Sequence, residues 1–222
     1  MIKLSQTTKM PCKSWSLPAL DTCPGSRDQH GQLVEVCQGC YATTGNYRFP
    51  NVRASREHNR QDWKRSEWVD DMVEVIGSDP YFRWFDSGDI YHPKLAQKIL
   101  EVMKLTRNTM HWLPTRSHKV KGLRAIIASM KKMKNVSVRY SSDKINSLTL
   151  KHGSFVFDAR AGYESALRYR YPEADDDIEI CMASTRGGEC GSCRSCWDKS
   201  VKVIAYPAHG KNMERVIDKL AN

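Results

Sequence analysis

The residues of this chain best suited to chemistry are its thiols. Cys190, Cys193 and Cys196 stand in "ECGSCRSCW", each separated from the next by two residues. Cys181 precedes them across "MASTRGGE", whose two glycines allow tight backbone paths. A second set lies near the N-terminus: Cys37 and Cys40 pair in "CQGC", while Cys12 arrives in "MPCKSW" and Cys23 in "TCPGS". In a reducing compartment, thiols grouped this way point to metal before disulfides. Three thiolates at two-residue intervals can wrap three irons of a 4Fe–4S cubane and leave the fourth ligand remote, and Cys181 is the candidate for that ligand. Four thiolates also suit a structural zinc. One or two clusters, or zinc in one of the sites, are therefore the alternatives. At the N-terminal set the membership matters more. If only Cys23, Cys37 and Cys40 bind, one iron keeps an open position and can act as a Lewis acid on a small-molecule substrate. Cys12 would close that position. The spacing also leaves open whether the two sets exchange members.

Polar residues recur after strand-like segments. They are Asp86, Ser87, Gly88 and Asp89 in "DSGD", then Thr115 and Arg116, then Arg139, Ser141, Ser142 and Asp143, and finally His209. Parallel α/β folds bind ligands at the carboxyl ends of their strands, where the loops converge. Asp86, Asp89, Arg116, Asp143 and His209 are the candidates for catalysis, with a carboxylate or His209 moving protons. Ser87, Gly88, Thr115, Ser141 and Ser142 are the candidates for cofactor binding. Taken singly, each also suits a helix cap or a turn, and only the recurrence argues for a shared cleft.

The elements that must position these groups are legible from periodicity. Residues 1–50 are rich in turn formers and read as an irregular cysteine-bearing loop region. Residues 51–180 read as an α/β core, 181–200 as a cysteine-rich knuckle, and 201–222 as a closing strand and helix, all in one domain. A helix is predicted over residues 51–77, with Trp68, Val69, Met72, Val73 and Ile76 on one face. "YFRWF", "MHWLP", "NVSVRY", "GSFVF" and "VKVIAY" read as strands. "HPKLAQKILEVMKLT", "HKVKGLRAIIASMKKMK" and "NMERVIDKLAN" read as helices. The alternation argues for a mainly parallel sheet in a partial (β/α) barrel-like layout.

Net charge is +10, from 35 basic and 25 acidic residues. Two four-thiolate sites would lower it to roughly +6, because the ligands must deprotonate. A basic stretch with Arg53, Arg56, Arg60, Lys64 and Arg65 could meet nucleic acid phosphates, although a solvated helix face is its plainer reading. No apolar run is long enough to cross a bilayer, and "MIKLSQTTKMPCKSW" lacks the apolar core of a signal peptide, so a cytoplasmic protein is expected. "YFRWF" reads as sheet packing, "YRYPEADDDIE" as an exposed acidic turn, and His92, His111 and His118 as structural or surface residues. His209 ranks above His152.

"CQGCYATTGNYRFPNVRASREHN", "FRWFDSGDIYHPKLAQKI", "HWLPTRSHK", "VRYSSDKI" and "CGSCRSCWD" followed by "IAYPAHG" together resemble the phage-encoded family built on the gene product 88 domain. The resemblance runs from about residue 10 to about 210. It implies a phage protein at work in the host cytoplasm, and an iron–sulfur cofactor. More distantly, the layout is similar to radical S-adenosylmethionine enzymes, which place a three-cysteine loop before a partial barrel and a Gly-rich polar motif after its second strand. "DSGD" stands where that motif would be, but Cys23 lies 14 positions before Cys37, so the compact cysteine signature is absent. Two classes of function follow. One is an iron–sulfur enzyme with an open iron, either a hydrolase acting on substrates such as esters or a user of S-adenosylmethionine. The other is a zinc-stapled nucleic-acid-binding or interaction protein without catalysis.

Overall fold

Strands of alternating buried and exposed positions need neighbours, and here eight of them join in one sheet ordered β1-β2-β3-β4-β5-β6-β8-β7. The structure is a computed structural model that describes residues 1–6, 10–147, 153–160, 162 and 178–221. His152 and residues 169–177 of the acidic stretch lie outside the described residues. The strands are β1 (Leu4–Gln6), β2 (Lys13–Trp15), β3 (Tyr81–Trp84), β4 (Met110–Thr115), β5 (Val136–Ser141), β6 (Gly153–Phe157), β7 (Ile178–Ile180) and β8 (Val203–Pro207). Only β1 runs antiparallel to its neighbour; every other pairing is parallel. The sheet does not close, so the layout is a mixed α/β fold with the partial barrel character expected.

Helices α1 (Glu35–Gln38), α2 (Pro50–Asp62), α3 (Trp68–Ile76), α4 (Pro93–Leu105), α5 (Arg124–Lys132) and α6 (Lys211–Ala221) complete the described regular structure, apart from short 3₁₀ turns. The single helix expected over residues 51–77 is two helices. The buried side of α2 is polar, with Arg56, Asn59 and Asp62, whereas α3 buries Trp68, Met72 and Ile76. Residues 63–67 turn the chain between the two, and the Trp63 and Arg65 carbonyls there accept from the Lys98 ammonium.

One sheet face meets α3, α4 and α5. Trp15, Phe82, Trp84, Leu113, Val136 and Val138 pack there against Trp68, Met72, Leu95, Ile99, Met103, Ile127 and Met130. Burying each such side chain stabilises the fold by about 1.5–3 kcal/mol before entropy is counted. Strand alternation sends the intervening residues to the other face. There Tyr81, Trp112 and Tyr206 meet Met10, Cys12, Cys196 and Trp197, so the cysteine-rich segment lies across the sheet and serves as its second layer.

His111 stands within the first layer and is structural, as its sequence setting suggests. Its Nδ1 accepts from Trp84 Nε1 at 3.2 Å, and its Nε2 donates to Thr106 Oγ1 at 2.9 Å. The Thr106 hydroxyl in turn donates to the Val102 carbonyl at 2.7 Å. Burial holds the ring far below the ordinary histidine value, at about 4. Between that value and about 6.5 the unfolded chain binds a proton here that the folded chain refuses, so this stability is present above about pH 6.5 and lost as pH falls toward 4. The loss amounts to ~3 kcal/mol. Urea unfolding at neutral pH and near pH 4.5 is expected to show it, and His111→Gln to flatten that part of the pH dependence. An equally steep profile in the variant would assign the effect elsewhere.

Five carbonyls of the cysteine-rich layer are gathered by one buried side chain. The Arg139 guanidinium donates to five carbonyls: Ser195 at 2.8 Å, Cys196 at 3.4 Å, Asp198 at 2.5 Å, Val201 at 2.5 Å and Lys202 at 3.2 Å. Arg139→Gln strands most of those carbonyls. The variant is expected to speed alkylation of Cys190 and Cys193 in the metal-free protein by roughly tenfold or more, as read by mass spectrometry. Unchanged rates would mean the segment is anchored by other contacts.

Candidate metal centres

β2 separates the N-terminal cysteines. Cys12 directly precedes it, whereas Cys23, Cys37 and Cys40 follow its carboxyl end. Side-chain surroundings divide the eight thiols the same way. Cys23 feels the charges of Cys37 and Cys40. Cys12 feels Cys190 and packs beside Trp112, Trp197 and Cys196. Cys190 feels Cys181 and Cys193, and Cys196 feels Cys181. The arrangement is thus three thiols and five, where the sequence suggested four and four.

The three-thiol group is assembled from three directions. Cys23 opens the turn Pro24–Ser26, which lies directly on the end of β4: a Cβ on Gly25 would come within 2.4 Å of the Arg116 carbonyl oxygen, so only glycine fits. Cys37 sits on α1. There Val36, Cys37 and Val34 pack with Met213, Val216 and Ile217 of α6, and the Val36 amide donates to the Asp143 carbonyl at 3.1 Å. Cys40 is followed by Tyr41, whose hydroxyl donates to the Asp86 carbonyl at 2.6 Å. The group therefore gathers loops at the carboxyl ends of β3, β4 and β5, the side on which parallel sheets bind ligands.

Electrostatics there pull both ways, because the Asp89 carboxylate opposes negative charge on Cys23. Burial pushes the Cys23, Cys37 and Cys40 thiols up, against which Arg116 pulls Cys37 and Cys40 down. Arg116 and Lys119 share the carboxylate of Asp143, at 3.7 Å and 2.6 Å, which leaves one net positive charge beside Cys37. Among the described residues, no three His, Cys, Asp or Glu side chains meet closely enough to hold a single metal ion. The donor set of Cys23, Cys37 and Cys40 nevertheless fits soft-metal chemistry: all three are free thiols, buried or half-buried, with cations at hand to balance thiolate charge.

The other predicted residues take varied places. Asp89 is buried and saturated: it accepts from the amides of Ile90 at 2.7 Å, Arg116 at 2.9 Å and Ser117 at 3.2 Å, and from the Thr115 hydroxyl at 2.8 Å. Asp86 accepts from Tyr47 at 2.8 Å and pairs with Arg83 at 3.3 Å and Arg56 at 3.5 Å. Ser87 donates to the Leu17 carbonyl and accepts from Arg56. Gly88 has φ +80°, and a Cβ there would strike Leu17 and Thr22. "DSGD" therefore follows the second parallel strand and locks the cysteine loop to the sheet. Ser141 lies 3.4 Å from Ser154, the Ser142 carbonyl accepts from Arg116, and Asp143 is half-exposed. His209 is exposed beyond β8, with Nδ1 2.9 Å from the Pro207 carbonyl oxygen.

Two further features bear on partners. Arg56 of the basic stretch is turned inward to Asp86, and Arg65 pairs with Asp62 and Asp71, so this stretch does not present five free cations. A groove lined by Arg60, Trp63, Lys64, His92, Lys94 and Lys98 shares no residue with the thiol groups. No described helix is long and apolar enough to cross a membrane.

Sequence reasoning missed Arg83 and Lys119. A charge inside the aromatic run "YFRWF" was the available signal, since strand alternation puts Arg83 on the face away from Phe82 and Trp84. No curated protein and no solved structure matches this chain. The family model described as Gene product 88 matches residues 2–199, a span that includes all eight cysteines and the carboxyl ends of β2 to β5, and the chain belongs to that family.

Proposed function

We propose that the chain is a phage iron–sulfur enzyme in which Cys23, Cys37 and Cys40 hold a 4Fe–4S cluster with one iron left open to a small-molecule substrate. One observation carries this reading: Cys12, the residue that could have closed the group, stands with the C-terminal cysteines, feeling Cys190 and packing beside Cys196. When bound, such a cluster supplies either Lewis-acid polarisation of a substrate oxygen or an electron for reductive cleavage of S-adenosylmethionine. The chain's own residues suit an anionic substrate group. Arg116 and Lys119 exceed Asp143 by one charge at the rim, and Asp143, whose two oxygens are held by Lys119, is the half-exposed carboxylate there.

Hydrolysis is the reaction these residues serve most directly, because it needs only an activated water and a nearby carboxylate. Reductive use of S-adenosylmethionine is the second reading, favoured by the order of parts: the three-thiol loop follows the first parallel strand and "DSGD" the second. Against it, Asp86 and Asp89 already have their oxygens engaged.

Anaerobically purified protein is expected to carry iron and sulfide in near-equal amounts, with broad absorption around roughly 400 nm. Cys37→Ala should remove that site's share of both. Hydrolysis of simple esters without reductant, against release of methionine from S-adenosylmethionine with reductant, separates the two reactions. Colourless protein carrying zinc alone would leave the stapled, non-catalytic alternative.

A further inference from the structure

Arg83 is the most unusually placed cation among the described residues. It projects from β3 on the face opposite the main core, and its side chain is 13% exposed. Its guanidinium stacks over the Trp112 ring at 4.4 Å, Nη1 donates to Met10 Sδ at 3.0 Å, and Nη2 donates to the Tyr41 hydroxyl at 3.3 Å. Nε is buried and finds no acceptor among the described residues. An orphaned buried N–H on a charged group is costly, so a missing acceptor is implied. The charge count points the same way. Arg83 shares its one carboxylate, Asp86, with Arg56, which leaves a net positive charge out of water.

Besides Asp86, Tyr41, Tyr47 and Tyr206, thiols lie within reach of that charge. Arg83 acts on Cys12, Cys190 and Cys196, and Arg194, over the Tyr81 ring at 5.3 Å, acts on Cys12 and Cys190 as well. Uncharged thiols do not balance buried guanidiniums. Thiolates bound to a metal do, since each ligating thiol gives its proton to solvent and leaves the centre anionic.

We propose that Cys12 joins Cys181, Cys190, Cys193 and Cys196 in a second sulfur-ligated metal centre, and that Arg83 is the buried counter-cation positioned against it. The centre draws its thiols from both ends of the chain, and so ties the segment before β2 to the segment after β7. Arg83 also touches Tyr41, the residue after Cys40, and so stands between the two thiol regions. The inference does not depend on what Cys23, Cys37 and Cys40 bind.

The test removes the first group and asks what remains. The Cys23→Ala/Cys37→Ala/Cys40→Ala variant, loaded anaerobically with ferrous iron and sulfide or separately with zinc, is expected to retain metal against a competing chelator. Adding Cys12→Ser, which keeps the side-chain volume, should weaken retention at least about tenfold, and Arg83→Gln by about 10- to 100-fold. Arg83→Lys, which restores the charge, should recover most of the loss, a rescue that a purely structural role would not give. A triple variant that holds neither iron nor zinc overturns the second centre. Retention unchanged by Cys12→Ser overturns the membership of Cys12, and Arg83→Lys as weak as Arg83→Gln overturns the counter-charge role. Circular dichroism of the metal-free forms separates lost ligation from lost fold.

Discussion

The carboxylate of Asp89 accepts from three backbone amides and one hydroxyl, and the rest of the upper sheet is arranged around that exchange. A buried carboxylate is expensive unless its oxygens are occupied, and here the occupying groups come from the ends of both β3 and β4. The Asp89 amide donates to the Thr22 carbonyl at 3.1 Å, immediately before Cys23, so the constraint reaches the thiols through one peptide. Arg116, whose amide is captured, then presents its carbonyl to Gly25 and its guanidinium to the Ser142 carbonyl. One acid thus sets the mutual position of β3, β4, β5 and the first cysteine loop. The residue that the sequence offered as a catalytic candidate thus has an architectural part, its oxygens accepting four hydrogen bonds.

What could be read in advance followed from pattern length. Strands β3 to β6 and β8, each with four or more residues and apolar alternation, were legible, as were the apolar stripes of α3, α4 and α5. β1, β2 and β7 have three residues each, too few for a period to register, and β2 lies in a stretch dominated by turn formers. That miss concealed the division of the thiols. Once "KSW" is a strand, the residues before and after it are carried to its two ends, and Cys12 cannot share the surroundings of Cys23. Spacing along the chain measures proximity poorly where an extended segment intervenes.

The same strand logic explains why charged side chains were misjudged in both directions. Arg56 and Arg65 looked like a surface stripe because helical wheels register charge and ignore partners, yet each has a carboxylate opposite it. Arg83 drew no notice within its aromatic run and Arg139 read as one polar residue at a strand end, yet both lie in the second layer. That layer has few aliphatic side chains beyond its aromatics and sulfurs. Guanidiniums supply what is missing: flat surfaces that stack on rings and donors for loop carbonyls.

Arg139 carries a consequence for how the protein matures. The carbonyls of residues 195–202 are gathered by a side chain on β5, some 56–63 positions earlier in the chain. The segment has only short local turns of its own, such as Trp197 N–H to the Arg194 carbonyl, so its path over the sheet also draws on a guanidinium that the sheet presents. During synthesis the last four cysteines emerge after β5, so the guanidinium that gathers the carbonyls beside them is made before they are. Folding of the sheet thereby precedes the final placement of this segment.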